Sequence, residues 1–217
     1  MSDTRLSSIG SRAVLFEADC PFDLDHQQRF WAMATEAATW TGVREAVPGM
    51  TNLTLLLDQV PTDLDRLWHD LAVLWHSGVR QEINGQLLLV DVTFGGAGGP
   101  HLAEVAKMTG LSIDEVINLH TGPDYTVYAV GSHAGYCYLG GLDPRLQTPR
   151  RKVPLTRLPG GSLSLAGLQT GVSASAGPSG WNTIGKADVV FFDPSRQPAA
   201  LLKPGDRIRF RPIEVLA

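Results

Sequence analysis

The chain has 217 residues, 43% of them hydrophobic and 18% charged, with a formal net charge of -4. That length supports one large domain or two small ones with real cores, and the mild acidity excludes the clustered basic excess that nucleic-acid binding requires. No apolar run approaches the roughly 18 residues of a membrane span, the N-terminus lacks a signal-peptide core, and Cys20 and Cys137 have no paired spacing, so a cytoplasmic protein with reduced thiols is expected.

The first part of the chain predicts alternating strands and helices. Ala13–Ala18 is short and apolar, and residues 23–40 carry Phe30, Trp31, Ala34, Ala37 and Ala38 at helical spacing. Strand-like runs at 43–47 and 53–57 flank the turn signal Pro48-Gly49. Residues 62–76 place Leu64, Leu67, Leu71 and Leu74 on one helical face, with Trp68 and Trp75 widening it, and Leu87–Phe94 supplies another strand. The order strand, helix, strand, strand, helix, strand is that of a split β-α-β, ferredoxin-like unit.

Through residue 94 the chain holds five of its 23 glycines and three of its 14 prolines, so composition sets a boundary near there. We place domains at 1–90 and 91–217. Gly95-Gly-Ala-Gly-Gly-Pro-His101 follows the strand and precedes an apolar helical pattern at Leu102, Val105 and Ala106. Backbone N–H groups at Gly96, Gly98 and Gly99 are candidates for anion binding, with a plain tight turn as the alternative. The loop matches neither a dinucleotide fingerprint nor a Walker loop, because His101 stands where a third glycine is needed and no Lys-Ser/Thr follows. Ser112-Ile-Asp-Glu115 is a capping box opening a helix that should end near Thr121-Gly-Pro123.

From Tyr125 onward short strands alternate with Gly/Pro turns, at 125–130, 163–166, 189–192 and 207–210, which predicts a compact β-barrel. Residues Gly131–Arg151 gather glycines, aromatics, His133, Cys137 and three arginines into an irregular segment expected to form a site wall. The fold class is therefore α+β in two domains.

Several long motifs carry a family resemblance. They include Val47-Pro-Gly-Met-Thr-Asn-Leu-Thr54, Phe94-Gly-Gly-Ala-Gly-Gly-Pro100, Tyr138-Leu-Gly-Gly-Leu-Asp-Pro-Arg-Leu146, Thr148-Pro-Arg-Arg151, Ala166-Gly-Leu-Gln-Thr-Gly171 and Phe192-Asp-Pro-Ser-Arg196. On these the chain resembles the family of 5-oxoprolinase B subunits, also called allophanate hydrolase subunit 1 or the kinase-A inhibitor family. The resemblance implies a cyclophilin-like barrel after the α/β domain. It also implies a hetero-oligomer, with the 5-oxoprolinase C subunit held directly and the A subunit more loosely. Such an assembly is a hydrolase that uses ATP to open the lactam of 5-oxoproline. Alternatives are a non-catalytic protein that inhibits a sensor histidine kinase, and a variant of the carboxyltransferase or allophanate hydrolase type for another small amide.

An unstrained lactam needs activation, which ATP would supply by phosphorylating the amide, so cationic and hydrogen-bonding groups are sought within these motifs. Arg150 and Arg151 offer bidentate contacts to a carboxylate or phosphate, or else form a solvated basic loop with carboxylate partners. His120 closes its helix, where its imidazole is expected to face the barrel mouth or to serve structurally. Gln169 and Thr170 are neutral groups suited to an amide, Trp181 is an apolar wall or a core residue, and Tyr138 and His133 complete the expected substrate-binding set. We therefore assign His120, Arg150 and Gln169 as catalytic candidates and expect no metal. A Cys137–His133 thiol nucleophile is disfavoured because the pair stands four apart in a coil, and Ser179 lacks the elbow spacing of a serine hydrolase. The chain departs from the family at Ser132, Ala134 and Tyr136, where Phe, Pro and Phe are usual, and at His101, where Asp is usual. Residues 172–179 depart as well, so the expected wall is smaller and more polar.

Overall fold

A computed structural model describes residues 3–216, and the chain divides into two compact units, one through Glu82 and one from Ile83 onward. No helix among the described residues is long and apolar enough to cross a membrane.

In the first unit, β1 (Thr4–Ser8), β2 (Ala13–Ala18), β3 (Val43–Pro48) and β4 (Asn52–Leu57) form an antiparallel sheet in the order β1-β2-β4-β3. Period-two alternation sends Val14, Phe16, Leu53 and Leu55 into the core. Helices α1 (Leu24–Ala37) and α2 (Leu64–Ser77) add Phe30, Met33, Leu71 and Trp75 to it. Each begins at an aspartate that accepts a backbone N–H, Asp23 from His26 and Asp63 from Arg66, both at 2.9 Å. Gly78, at φ 68°, ends α2 in the left-handed region.

The expected closing strand of this unit is corrected. Leu87–Phe94 does not join the sheet; the place beside β2 is filled by β1, which pairs from Thr4↔Ala18 to Ser8↔Val14 across a turn at Gly10. A short hairpin costs little closure entropy. Meanwhile the later strand, β5 (Leu87–Gly95), has two barrel neighbours to pair with on its flanks. The expected boundary at 90/91 falls within β5, which belongs whole to the second unit.

The second unit is a closed seven-stranded barrel. Its strands are β5, β6 (Tyr125–Val130), β7 (Cys137–Gly140), β9 (Ser162–Ala166), β10 (Gln169–Val172), β12 (Asn182–Ala187) and β13 (Arg207–Leu216), in the order β10-β7-β6-β13-β5-β12-β9. β8 (Leu155–Leu158) and β11 (Gly177–Ser179) form a separate two-stranded sheet. Helices α3 (Leu102–Thr109) and α4 (Ile113–Thr121) follow β5, and α4 begins with the expected capping box. Leu102, Val105, Val116 and Ile117 join Val92, Phe94, Leu139, Leu163, Leu165 and Phe210 in the core. Residues 189–192, expected as a strand, make only a single bridge, Phe192↔Ala200. Phe191 is nevertheless 1% exposed, so the apolar run records burial rather than extended pairing.

Candidate functional site

β7, β9 and β10 are adjacent in the barrel, and their alternation separates two environments. Cys137, Leu139, Leu163, Leu165 and Val172 point into the core, whereas Tyr138, Ser164 and Gly171 line a cavity of about 180 Å³ on the other face. Ser132, His133, Tyr136, Arg150, Ser173 and residues 178–181 complete its walls.

Arg150 is held there by its neighbours. The Asn182 side-chain amide donates to Thr148 Oγ1 at 3.1 Å and to the Pro149 carbonyl at 3.0 Å, and Arg151 N donates to the Gly180 carbonyl at 2.8 Å. These bonds pin the arm against the Trp181 segment, so the Arg150 guanidinium carbon lies 5.8 Å from the centre of the Trp181 ring. Opposite, Gly131 N donates to the Tyr136 carbonyl at 3.0 Å, and Ser132 adopts φ 64°, an uncommon value for a residue with a Cβ. Gly171 has no side chain for a physical reason: a Cβ there would lie 2.9 Å from Tyr136 Oη. The Tyr136 ring packs edge-on to Tyr138 at 4.9 Å and Trp181 at 6.3 Å.

Three polar groups of the cavity are left open by the protein. Arg145, Arg151, Arg196, Arg207, Arg209 and Arg211 each pair with a carboxylate, but Arg150 has no ion pair among the described residues. Burial pushes the Tyr136 phenol above its ordinary pKa, so it stays a protonated donor. No protein group among the described residues hydrogen-bonds that phenol, although Tyr136 is 9% exposed. His133, with its ring 5.1 Å from that of Tyr136, has Nε2 sealed without a partner.

Of the sequence-predicted residues, the cavity brings together His133, Tyr138, Arg150 and Trp181. Gln169 lies outside it, in a neighbouring hollow of about 500 Å³ that also touches Arg150. Thr170 and His120 are inside the barrel wall, where His120 Nε2 meets Thr170 Oγ1 at 2.8 Å. The expectation that His120 faces the barrel mouth is corrected: its ring is fully buried among Phe94, Tyr125 and Phe210, and burial pushes it down to about 3. Arg151 is bound to Glu104 at 2.7 Å, away from the cavity.

The glycine loop does not line the cavity either. A Cβ at Gly99 would strike the Ile184 carbonyl and one at Gly98 would come 3.0 Å from Lys186 Cβ, so both positions let the loop lie against β12. His101 does not cap α3; its Nδ1 accepts the Thr183 N–H at 2.8 Å. Cys137 is buried in the core with its thiol pushed up to about 12, which leaves no thiolate for nucleophilic chemistry.

Sequence reasoning missed Tyr136, Ser164, Ser173 and Ser179 as cavity groups. Ser164 carried a usable signal, a polar residue between Leu163 and Leu165 in an otherwise apolar strand. Tyr136 was visible only as a departure from a family pattern. Among the described residues there is no cluster of three or more His, Cys, Asp or Glu side chains able to hold a metal ion.

Residues 4–202 match the family profile of the carboxyltransferase domain, subdomain C and D. The chain is 39% identical over 213 residues to the 5-oxoprolinase B subunit of Escherichia coli O157:H7, spanning 98% of this chain and 97% of that one. The solved structure of TTHA0988 superposes with a TM-score of 0.75 at 33% identity over 94% of this chain, which spans 40% of that longer chain. The urea carboxylase of Kluyveromyces lactis superposes with a TM-score of 0.80 at 17% identity, covering 97% of this chain and 22% of that one, a likeness of fold alone.

Proposed function

The chain belongs to the family of 5-oxoprolinase B subunits, within the carboxyltransferase subdomain C and D family, and on that premise we propose that it is one component of an ATP-dependent 5-oxoprolinase. In this reading it assembles with the C subunit, and more loosely with the A subunit, to open the lactam of 5-oxoproline to glutamate. Its own contribution is ligand positioning. The observation that carries this is a small cavity with an unpaired guanidinium and aromatic walls, in a chain similar to a 5-oxoprolinase B subunit over nearly its whole length.

Transfer of the ATP γ-phosphate to the amide oxygen releases ADP and makes the ring carbon electrophilic; water adds there, inorganic phosphate leaves, and the ring C–N bond breaks as its nitrogen takes up a proton, giving the carboxylate and the free amine. Of the three residues assigned as catalytic from the sequence, we read Arg150 and Gln169, which line adjoining hollows, as ligand contacts, and His120, buried against Thr170, as a structural residue of the barrel wall. The Arg150 guanidinium supplies positive charge, Trp181 and Tyr138 bound the apolar ring, and Gln169 offers a neutral amide on the adjoining side.

The test is to co-express the chain with the A and C subunits, purify the complex and measure 5-oxoproline-dependent ATP hydrolysis together with glutamate release. The expected result is a stable complex whose turnover falls at least about ten-fold on Arg150→Ala, a loss in line with removing a charged hydrogen-bond donor. A chain that does not bind the C subunit, or a complex without lactam-dependent hydrolysis, would overturn the proposal.

A further inference from the structure

The cavity beside Arg150 has features that the assembly-level reading does not use. Its volume of about 180 Å³ lies below the roughly 300–1,000 Å³ of sites that enclose larger ligands, so it suits an amino-acid-sized molecule and not a nucleoside triphosphate. Its charge is one-sided: twelve residues line it, and none of them is an aspartate or glutamate to neutralise Arg150. Arg150 is exposed, and a guanidinium without an ion pair on the wall of a concave site favours an anion, which it can hold through charge-assisted, bidentate hydrogen bonds.

A second, independent feature points the same way. The Tyr136 ring is buried, but its hydroxyl has no protein partner among the described residues and is free to donate to a ligand, and beside it the buried His133 Nε2 also has no partner among them. Gly171 is bare where any side chain would crowd that hydroxyl, and the Ser132 backbone is held at φ 64° on the loop that carries Tyr136. A partnerless hydroxyl, a bare glycine beside it and a sealed imidazole nitrogen at one spot leave both room and hydrogen-bonding groups for a ligand.

We propose that this cavity binds the carboxylate of an amino-acid-sized ligand, with Arg150 as the counter-charge and the Tyr136 hydroxyl as a neutral donor, and that nucleotide is not bound here. Trp181 forms one wall, with the guanidinium over its ring, and Ser164, Ser173 and Ser179 supply further polar contacts. Tyr136 thereby becomes a specificity residue, and the family's usual Phe at this position lacks its hydroxyl. The ligand's identity as 5-oxoproline rests on the function proposed above, whereas the carboxylate preference rests on the cavity alone.

The experiment is calorimetric titration of the purified full chain, without its partners, with 5-oxoproline, other amino-acid-sized carboxylates, 2-pyrrolidinone, inorganic phosphate and MgATP. A carboxylate should bind, and 2-pyrrolidinone, which keeps the lactam and lacks the carboxylate, should bind at least about ten-fold more weakly. Phosphate and MgATP should not displace the carboxylate. Arg150→Lys and Tyr136→Phe should each weaken binding about five- to ten-fold at an unchanged melting temperature, and Arg157→Ala, an exposed arginine outside the cavity, should leave it unchanged. Equal affinity for 2-pyrrolidinone, displacement by phosphate or MgATP, no binding of any carboxylate, or full affinity in both variants would overturn the proposal. Carboxylate binding alongside an assembly with no lactam-dependent hydrolysis would discard the enzymatic reading and keep this site; the reverse result would discard the site alone.

Discussion

His120 is neutral throughout the physiological range because burial, with no compensating charge, pushes its imidazole from an ordinary 6.5 down to about 3. The unfolded chain therefore takes up a proton near pH 6.5 that the folded chain refuses until about pH 3. The corresponding stability is fully present above pH 6.5 and is lost as pH falls toward 3, on the order of 5 kcal/mol in total. Replacing it by a group that does not titrate, His120→Gln, should flatten the fall in urea-unfolding free energy between about pH 6.5 and 4 relative to the unchanged chain. An identical pH slope in the variant would contradict the burial of this ring. Arg150 and Arg151, adjacent in sequence, separate just as sharply. Arg151 is paired with a half-exposed Glu104, and such pairs contribute about 1 kcal/mol at most, so Arg151→Ala should change stability little and ligand binding not at all. The sequence showed two equivalent arginines, because which of them meets a carboxylate depends on Glu104, 47 positions away.

At the scale of elements, the capping box and the glycine loop give opposite lessons. Ser112 Oγ accepts the Glu115 N–H at 3.2 Å and the Glu115 carboxylate accepts the Ser112 N–H at 2.8 Å, as the four-residue pattern alone indicates. Ser112→Ala should cost about 1 kcal/mol, read as a lower melting temperature, since α4 carries His120 and two core residues. The glycines at 96–99 suggested an anion-binding loop or a plain tight turn, and at Gly98 and Gly99 the lack of a side chain lets the loop pack closely on β12. Gly99→Ala drives a Cβ into the Ile184 backbone and should destabilise by more than about 2 kcal/mol, whereas at Gly98 the nearest atom is Lys186 Cβ at 3.0 Å, a contact that a shift of a few tenths of an ångström relieves, and Gly98→Ala should cost less. Thermal unfolding of the two variants decides this, and equal losses would count against the packing account. The hairpin strand β1 escaped detection because Thr-Arg-Leu-Ser-Ser has a single apolar residue and no alternation to read.

The described residues form two hydrophobic cores, one in each unit, from Val14, Phe30, Leu55 and Trp75 and from Val92, Phe94, Leu163 and Phe210. The division lies before β5, and Asp206 helps to fix it. That carboxylate, 1% exposed, accepts the Gln86 N–H and the Lys203 N–H, each at 3.0 Å, tying the start of β5 to the turn before β13. A fragment beginning at Ile83 should therefore fold cooperatively by itself, and one beginning at residue 91 should not, because it lacks Leu87–Val90 of β5, which pair with Arg207–Phe210. Circular dichroism melts of the two fragments check this. Asp206→Ala in the full chain should cost about 2–4 kcal/mol by orphaning two N–H groups.

The helices, the strands with strict alternation and the capping box were legible in the sequence, whereas residues 131–151, expected to be irregular throughout, hold the barrel strand β7 at Cys137–Gly140. Each of the legible features depends on residues within about one turn or one strand of one another, and local chemistry suffices. Tertiary structure alone decided that Leu87–Gly95 leaves the first sheet for the barrel, that His120 turns inward while Arg150 faces a cavity, and that Tyr136 stands with an open hydroxyl above Gly171. Those outcomes depend on partners tens of positions or more away in the chain. Strand pairing, burial and charge compensation belong to pairs of residues, and a single stretch of chain does not contain its partner.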